Sequence, residues 1–119
     1  MKRSLILVLS IVTVGMVAVG FRLYAQEPQP RVVTISAKRF EFTPNQITLK
    51  RGEPVTLRVS AEDASHGFYQ KDLRIDLDLT PDHASEVTMT PDKAGRFVVI
   101  CDHFCGWGHG NMKMVINVE

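Results

Sequence analysis

Both cysteines of this chain and two of its four histidines fall in one stretch of twelve residues: Cys101, Asp102, His103, Phe104, Cys105, Gly106, Trp107, Gly108, His109, Gly110, Asn111 and Met112. Thiolate and thioether sulfur together with imidazole is the donor set that suits copper. At ~3.3 Å per residue, Cys101 and Cys105 stand ~13 Å apart in extended chain, so the stretch must fold back before both reach one centre. Gly106, Gly108 and Gly110 supply the backbone freedom for that fold. A site made from one loop alone would lack rigidity, so a further strong ligand is expected from elsewhere. His66 is the candidate, in the run Asp63-Ala64-Ser65-His66-Gly67-Phe68.

Other chemistries fit part of this set. A mononuclear copper site needs only Cys105, His66, His109 and Met112 and leaves Cys101 without a role. A tetrahedral zinc site takes Cys101, Cys105, His66 and His109 and leaves Met112 unused. A Cys101–Cys105 disulfide is the default outside the cytoplasm, and leaves the clustered histidines and Met112 unexplained. His83, after Pro81-Asp82, reads as a solvated turn residue. The His103 side chain is either a ligand or an exposed loop group. No Ser-His-Asp set or carboxylate pair points to hydrolytic catalysis.

The elements that must position these residues read as strands. Val32–Ser36, Ile47–Leu49, Val55–Ser60, Ile75–Leu79, Val87–Met89, Arg96–Cys101 and Lys113–Glu119 are short, rich in β-branched residues and separated by turn signals. Apolar residues alternate with polar ones in most of them, the period of half-buried strands. Phe97 to Ile100 is continuous, which predicts a strand covered on both faces. Met89 and Met114 fall on apolar faces; Asp76 and Asp78 fall on a solvated one. The spacing predicts an all-β antiparallel sandwich of six or seven strands. The ligand-bearing stretch then becomes the loop between the last two strands.

The N-terminus reads as targeting sequence. Lys2 and Arg3 precede Ser4–Phe21, 18 residues without a charge, closed by Arg22. Residues 1–25 therefore form a hydrophobic helix that is either a cleaved signal peptide or a retained membrane anchor; both put the following domain outside the cytoplasm. Residues 26–31, with two prolines, form a stiff linker, and residues 32–119 form one domain. Without residues 1–25 the chain keeps 11 basic residues (14 minus Lys2, Arg3 and Arg22) against 13 acidic ones. That balance gives no electrostatic footprint for nucleic acid.

The Cys-x3-Cys-x3-His-x2-Met spacing resembles the CuA-type site of cupredoxin domains. Phe40-Glu41-Phe42-Thr43-Pro44-Asn45, Arg51-Gly52 and His66-Gly67-Phe68 are similar to that family as well. The resemblance covers nearly all of residues 32–119 and lies nearest the copper domain of cytochrome oxidase subunit II, in its short form with a single N-terminal anchor found in ba3-type oxidases. It implies a Greek-key sandwich holding two copper ions. Cys101 and Cys105 would bridge them, His66 and His109 would be the terminal imidazoles, Met112 the weak thioether ligand, and His103 a ligand through its backbone carbonyl. It also implies an electron donor such as a cytochrome c and an acceptor oxidase or related reductase in the membrane. Two departures stand out. Many subunits II carry a glutamate where this chain has His103, and of their aromatic-rich strand only Phe40 and Phe42 are present.

A centre whose positions are all filled by protein ligands leaves no open site for a substrate, which favours an electron carrier over a copper enzyme. A copper delivery or storage protein is the alternative, and would need an open, exchangeable site. Trp107 is expected to be a hydrophobic cover over the metal or, alternatively, a surface point where electrons enter.

Overall fold

The computed structural model describes residues 29–104 and 106–119. The expected N-terminal helix, residues 26–28 of the linker and Cys105 lie outside the described residues. Among the described residues nine strands run in chain order: β1 (Arg31–Lys38), β2 (Glu41–Thr43), β3 (Gln46–Leu49), β4 (Val55–Ala61), β5 (His66–Gln70), β6 (Ile75–Leu79), β7 (Ser85–Met89), β8 (Gly95–Ile100) and β9 (Lys113–Val118). Six or seven were expected, from seven candidate runs. The two additions are β2, too short for a periodic signal, and β5, whose apolar residues do not alternate over enough length.

The strands form two sheets, one ordered β2-β1-β4-β7 and the other β3-β9-β8-β5-β6. β4 shows the rule that makes the sandwich: Val55, Leu57, Val59 and Ala61 are buried, whereas the residues between them are not. With Ile35 and Ala37 of β1 they share one core with Phe68, Leu79, Val99, Met114 and Ile116 of the opposite sheet. Phe42 and Phe68 meet edge to face across that core, centroids 5.4 Å apart, a favoured aromatic geometry.

Two expectations need correction. The sheets are mixed, because β1 pairs with β4 and β3 with β9 in parallel. The chain passes from the first sheet at β2 to the second at β3 and back at β4, so strands running the same way become neighbours; alternation in sequence carries no information about direction. Nor is β8 covered on both faces. Val99 is fully buried and Phe97 half-buried, whereas Ile100 is exposed. The apolar run supplies one core face and a partly open outer face.

The sheet also sets the stage for the loop. β8 and β9 pair from Gly95↔Val118 to Ile100↔Lys113. Beyond the last pair, the Cys101 N–H donates to the Met112 carbonyl at 3.2 Å, closing the loop at its base. β5 lies on the other side of β8, in register at Tyr69↔Ile100. Antiparallel pairing at that point carries the start of β5, His66-Gly67, alongside the residues that follow Ile100.

Candidate metal centre

His66 opens β5 and is buried among apolar residues, 1% exposed. A buried imidazole needs partners for both ring nitrogens. Nε2 lies 2.8 Å from Oδ1 of Asp63, three residues earlier in the loop before β5. The other carboxylate oxygen, Oδ2, accepts the backbone N–H of Arg39 at 2.8 Å. Desolvation would raise the Asp63 carboxyl, but it is outweighed by the Arg39 N–H bond, the His66 hydrogen bond and charge, and the Ala64 N–H. Together these hold it at about 2. An ionised Asp63 is an acceptor only, so Nε2 carries a ring proton, and in the neutral ring the lone pair is on Nδ1.

That lone pair faces sulfur. Nδ1 of His66 is 3.9 Å from Sγ of Cys101, which is itself buried. The same sulfur accepts the Gly67 N–H at 3.4 Å and lies 3.2 Å from the His103 carbonyl oxygen, to which it donates. With ~2.3 Å to sulfur and ~2.0 Å to imidazole nitrogen, two donors up to ~4.3 Å apart can hold one ion between them. The His66–Cys101 separation falls inside that span. Imidazole nitrogen, thiol and carbonyl therefore converge on one spot at the end of the sandwich.

Gly67 permits the approach. A Cβ placed on it would overlap the Asp102 carboxylate and meet the His103 ring at 2.5 Å. The His103 backbone and side chain point different ways: the carbonyl turns to Cys101, and Nε2 of the ring lies 2.5 Å from Oδ1 of Asp78 on β6. Of the two roles weighed for its side chain, the exposed one is found.

His109 begins a short 3-10 turn, His109–Asn111, entered through Gly108 at φ 118°. Its carbonyl accepts the Met112 N–H at 3.1 Å. Met112 is buried at the loop base, 1% exposed. Cys105 lies outside the described residues, and among those described no three His, Cys, Asp or Glu side chains converge. The convergence that is seen consists of the His66 imidazole, the Cys101 thiol and the His103 carbonyl. Trp107 does not cover the centre: it is 92% exposed and packs edge-on against Phe104, itself 72% exposed. Sequence reasoning missed the roles of Asp63 and Asp78. Asp63 had a signal, a carboxylate three residues before a histidine; Asp78 had none beyond its solvated strand face.

A β-sandwich that lays a strand-borne histidine against a cysteine in an inter-strand loop is the architecture of a cupredoxin. Residues 7–116 match the family model of the cupredoxin-like domain, and the chain belongs to that family. It is 31% identical over 92 residues to cytochrome c oxidase subunit 2 of Thermus thermophilus, covering 77% of this chain and 68% of that protein; for a second Thermus thermophilus subunit 2, equally similar, the latter share is 55%. It is 32% identical over 91 residues to the nitrous-oxide reductase of Cupriavidus necator, across 73% of this chain and only 14% of that enzyme. Among solved structures, the periplasmic domain of cytochrome oxidase subunit II from Bradyrhizobium japonicum superposes with a TM-score of 0.70 at 17% identity, covering 79% of this chain and 88% of that one.

Proposed function

We propose that this chain is an extracytoplasmic electron-transfer domain holding a binuclear CuA-type copper centre. The observation that carries the reading is the His66 ring held between Asp63 and Cys101, with Nε2 tied to the carboxylate and Nδ1 turned to the sulfur. A carboxylate behind a histidine fixes ring and tautomer and raises the basicity of the ligating nitrogen, as in many metal sites. His66, Cys101, Cys105, His109 and Met112 would be the side-chain ligands, with the His103 carbonyl as the sixth donor. Copper bound there supplies a one-electron couple.

The protein's own contribution is rigidity. His66 stands on a strand, and Cys101 and Met112 close the loop between two paired strands, so the donors keep one arrangement in both oxidation states. Donors confined to protein groups leave no position for a substrate. The exposed Phe104 and Trp107 lie on the same loop, a placement that suits electron exchange with a partner protein better than shielding.

The kinship with cytochrome c oxidase subunit 2 and nitrous-oxide reductase supports an acceptor of the oxidase or nitrogen-oxide reductase kind, with a cytochrome c as donor. Lys2, Arg3 and the uncharged Ser4–Phe21 run support export of residues 32–119, with residues 1–25 as signal or anchor and 26–31 as linker. The test is copper loading of the purified, reduced chain. Two copper ions per chain with intense thiolate-to-copper absorption are expected; tight zinc binding with copper excluded would overturn the reading.

A further inference from the structure

Phe40 packs against the ligand-bearing loop from outside that loop. Gly106 and Gly108 both adopt positive φ, 135° and 118°. A Cβ on Gly106 would lie 3.2 Å from the Phe40 ring, and one on Gly108 would lie 2.9 Å from it. The loop backbone thus rests against the Phe40 ring: a Cβ at Gly108 would overlap it, and one at Gly106 would be tight against it at a positive φ that already favours glycine. Phe40 is half-buried and packs against the main core. The preceding residue, Arg39, gives its backbone N–H to Asp63, and Asp63 holds His66.

We infer that the Arg39-Phe40 turn between β1 and β2 is a clamp that sets the two halves of the centre against each other. One side reaches His66 through Asp63, and the other reaches the ligand loop through Gly106 and Gly108. Phe40 is then a positioning residue, acting on Cys101, His109 and Met112 through the loop that carries them. This arrangement also explains the loop's composition. Gly110, which lies away from Phe40, has open space where its Cβ would be, so the demand for glycine is strictest at the two positions on the ring. The part of this inference that concerns copper rests on the function proposed above; the packing part does not.

The test uses the full chain in two states. In the metal-free, reduced chain, the rate of alkylation at Cys101 is read by mass spectrometry. Phe40→Ala is expected to raise it about tenfold or more, and Phe40→Leu, which keeps apolar bulk, to restore it to within about threefold of the parent. Gly108→Ala perturbs the same contact from the loop side and is expected to raise the rate as well, so the test stands even where Phe40→Ala does not fold. Val87→Ala, in the middle of β7, is the control for general loosening and should leave the rate unchanged. Alkylation in Phe40→Ala and Gly108→Ala within about twofold of the parent, or an equal rise in Val87→Ala, would overturn the clamp. In the copper-loaded chain, Phe40→Ala is expected to shift the reduction potential and broaden the copper resonance, with Phe40→Leu again restoring both. Failure of the parent itself to take up copper removes the functional reading, and the alkylation result still decides the clamp.

Discussion

Nδ1 of His66 and Sγ of Cys101 lie 3.9 Å apart although 35 positions separate them in the chain. Two strands of one sheet make that meeting: β5 begins with the histidine, and β8 ends one residue before the cysteine. Their shared register at Tyr69↔Ile100 fixes the distance. The pair is a property of the fold and not of the loop alone, which is why a site of this kind needs the whole sandwich.

His66→Ala is expected to abolish stable copper binding while leaving the β signature of the domain intact. Circular dichroism combined with copper stoichiometry checks this. His83→Ala is the matched control, since His83 lies in an exposed turn against Thr80 and Asp82 and should have no effect on copper.

Cys101→Ser should reduce copper uptake from two ions to at most one and remove most of the thiolate absorption. Unchanged stoichiometry and colour would contradict a bridging sulfur. Met112→Leu keeps the buried volume nearly constant. It should retain copper with a shifted potential, and loss of all metal would make the thioether a primary ligand.

Acid stability reports on Asp63. Its folded pKa is depressed from 3.8 to about 2, so the stabilisation it provides is complete above pH ~4 and is lost as pH falls towards 2. The metal-free chain should therefore lose stability across that interval. Asp63→Asn should flatten the acid limb of the curve, measured by denaturant unfolding at stepped pH.

Asp78 tests how the His103 carbonyl is aimed. Its side chain is 80% exposed, so Asp78→Ala should change stability by no more than ~0.5 kcal/mol. Freed from Asp78, the His103 ring no longer anchors the peptide beside Cys101, and the copper potential should move. Asp78→Asn keeps an acceptor oxygen while removing the charge. A shift in the alanine variant alone indicates positioning, and equal shifts indicate charge.

The strand pattern was legible where a strand has one wet face and is long enough to show its period. Val55 to Ala61 alternates cleanly and Lys113 to Val118 does so but for Val115, and both are half-buried strands. β8 was misjudged because an apolar run reads as double coverage, whereas Ile100 opens outward. Strand direction was not legible, since parallel and antiparallel neighbours have the same side-chain period. The site residues were legible by type because soft donors are rare and cluster visibly. Of their supports only Asp63, three residues before His66, carried a signal. Phe40 and Asp78 are ordinary residues whose importance comes from contacts made across 25 or more positions or from a turn packed on a glycine pair. Trp107 shows the opposite error: a large aromatic in a ligand loop invites a covering role, and the fold leaves it 92% exposed.

Electron paramagnetic resonance of the oxidised, copper-loaded chain tests the central claim most directly. Two coppers sharing one unpaired electron through Cys101 and Cys105 predict a seven-line hyperfine pattern from two equivalent nuclei. A four-line pattern from a single copper, or no signal from a fully loaded sample, would contradict it.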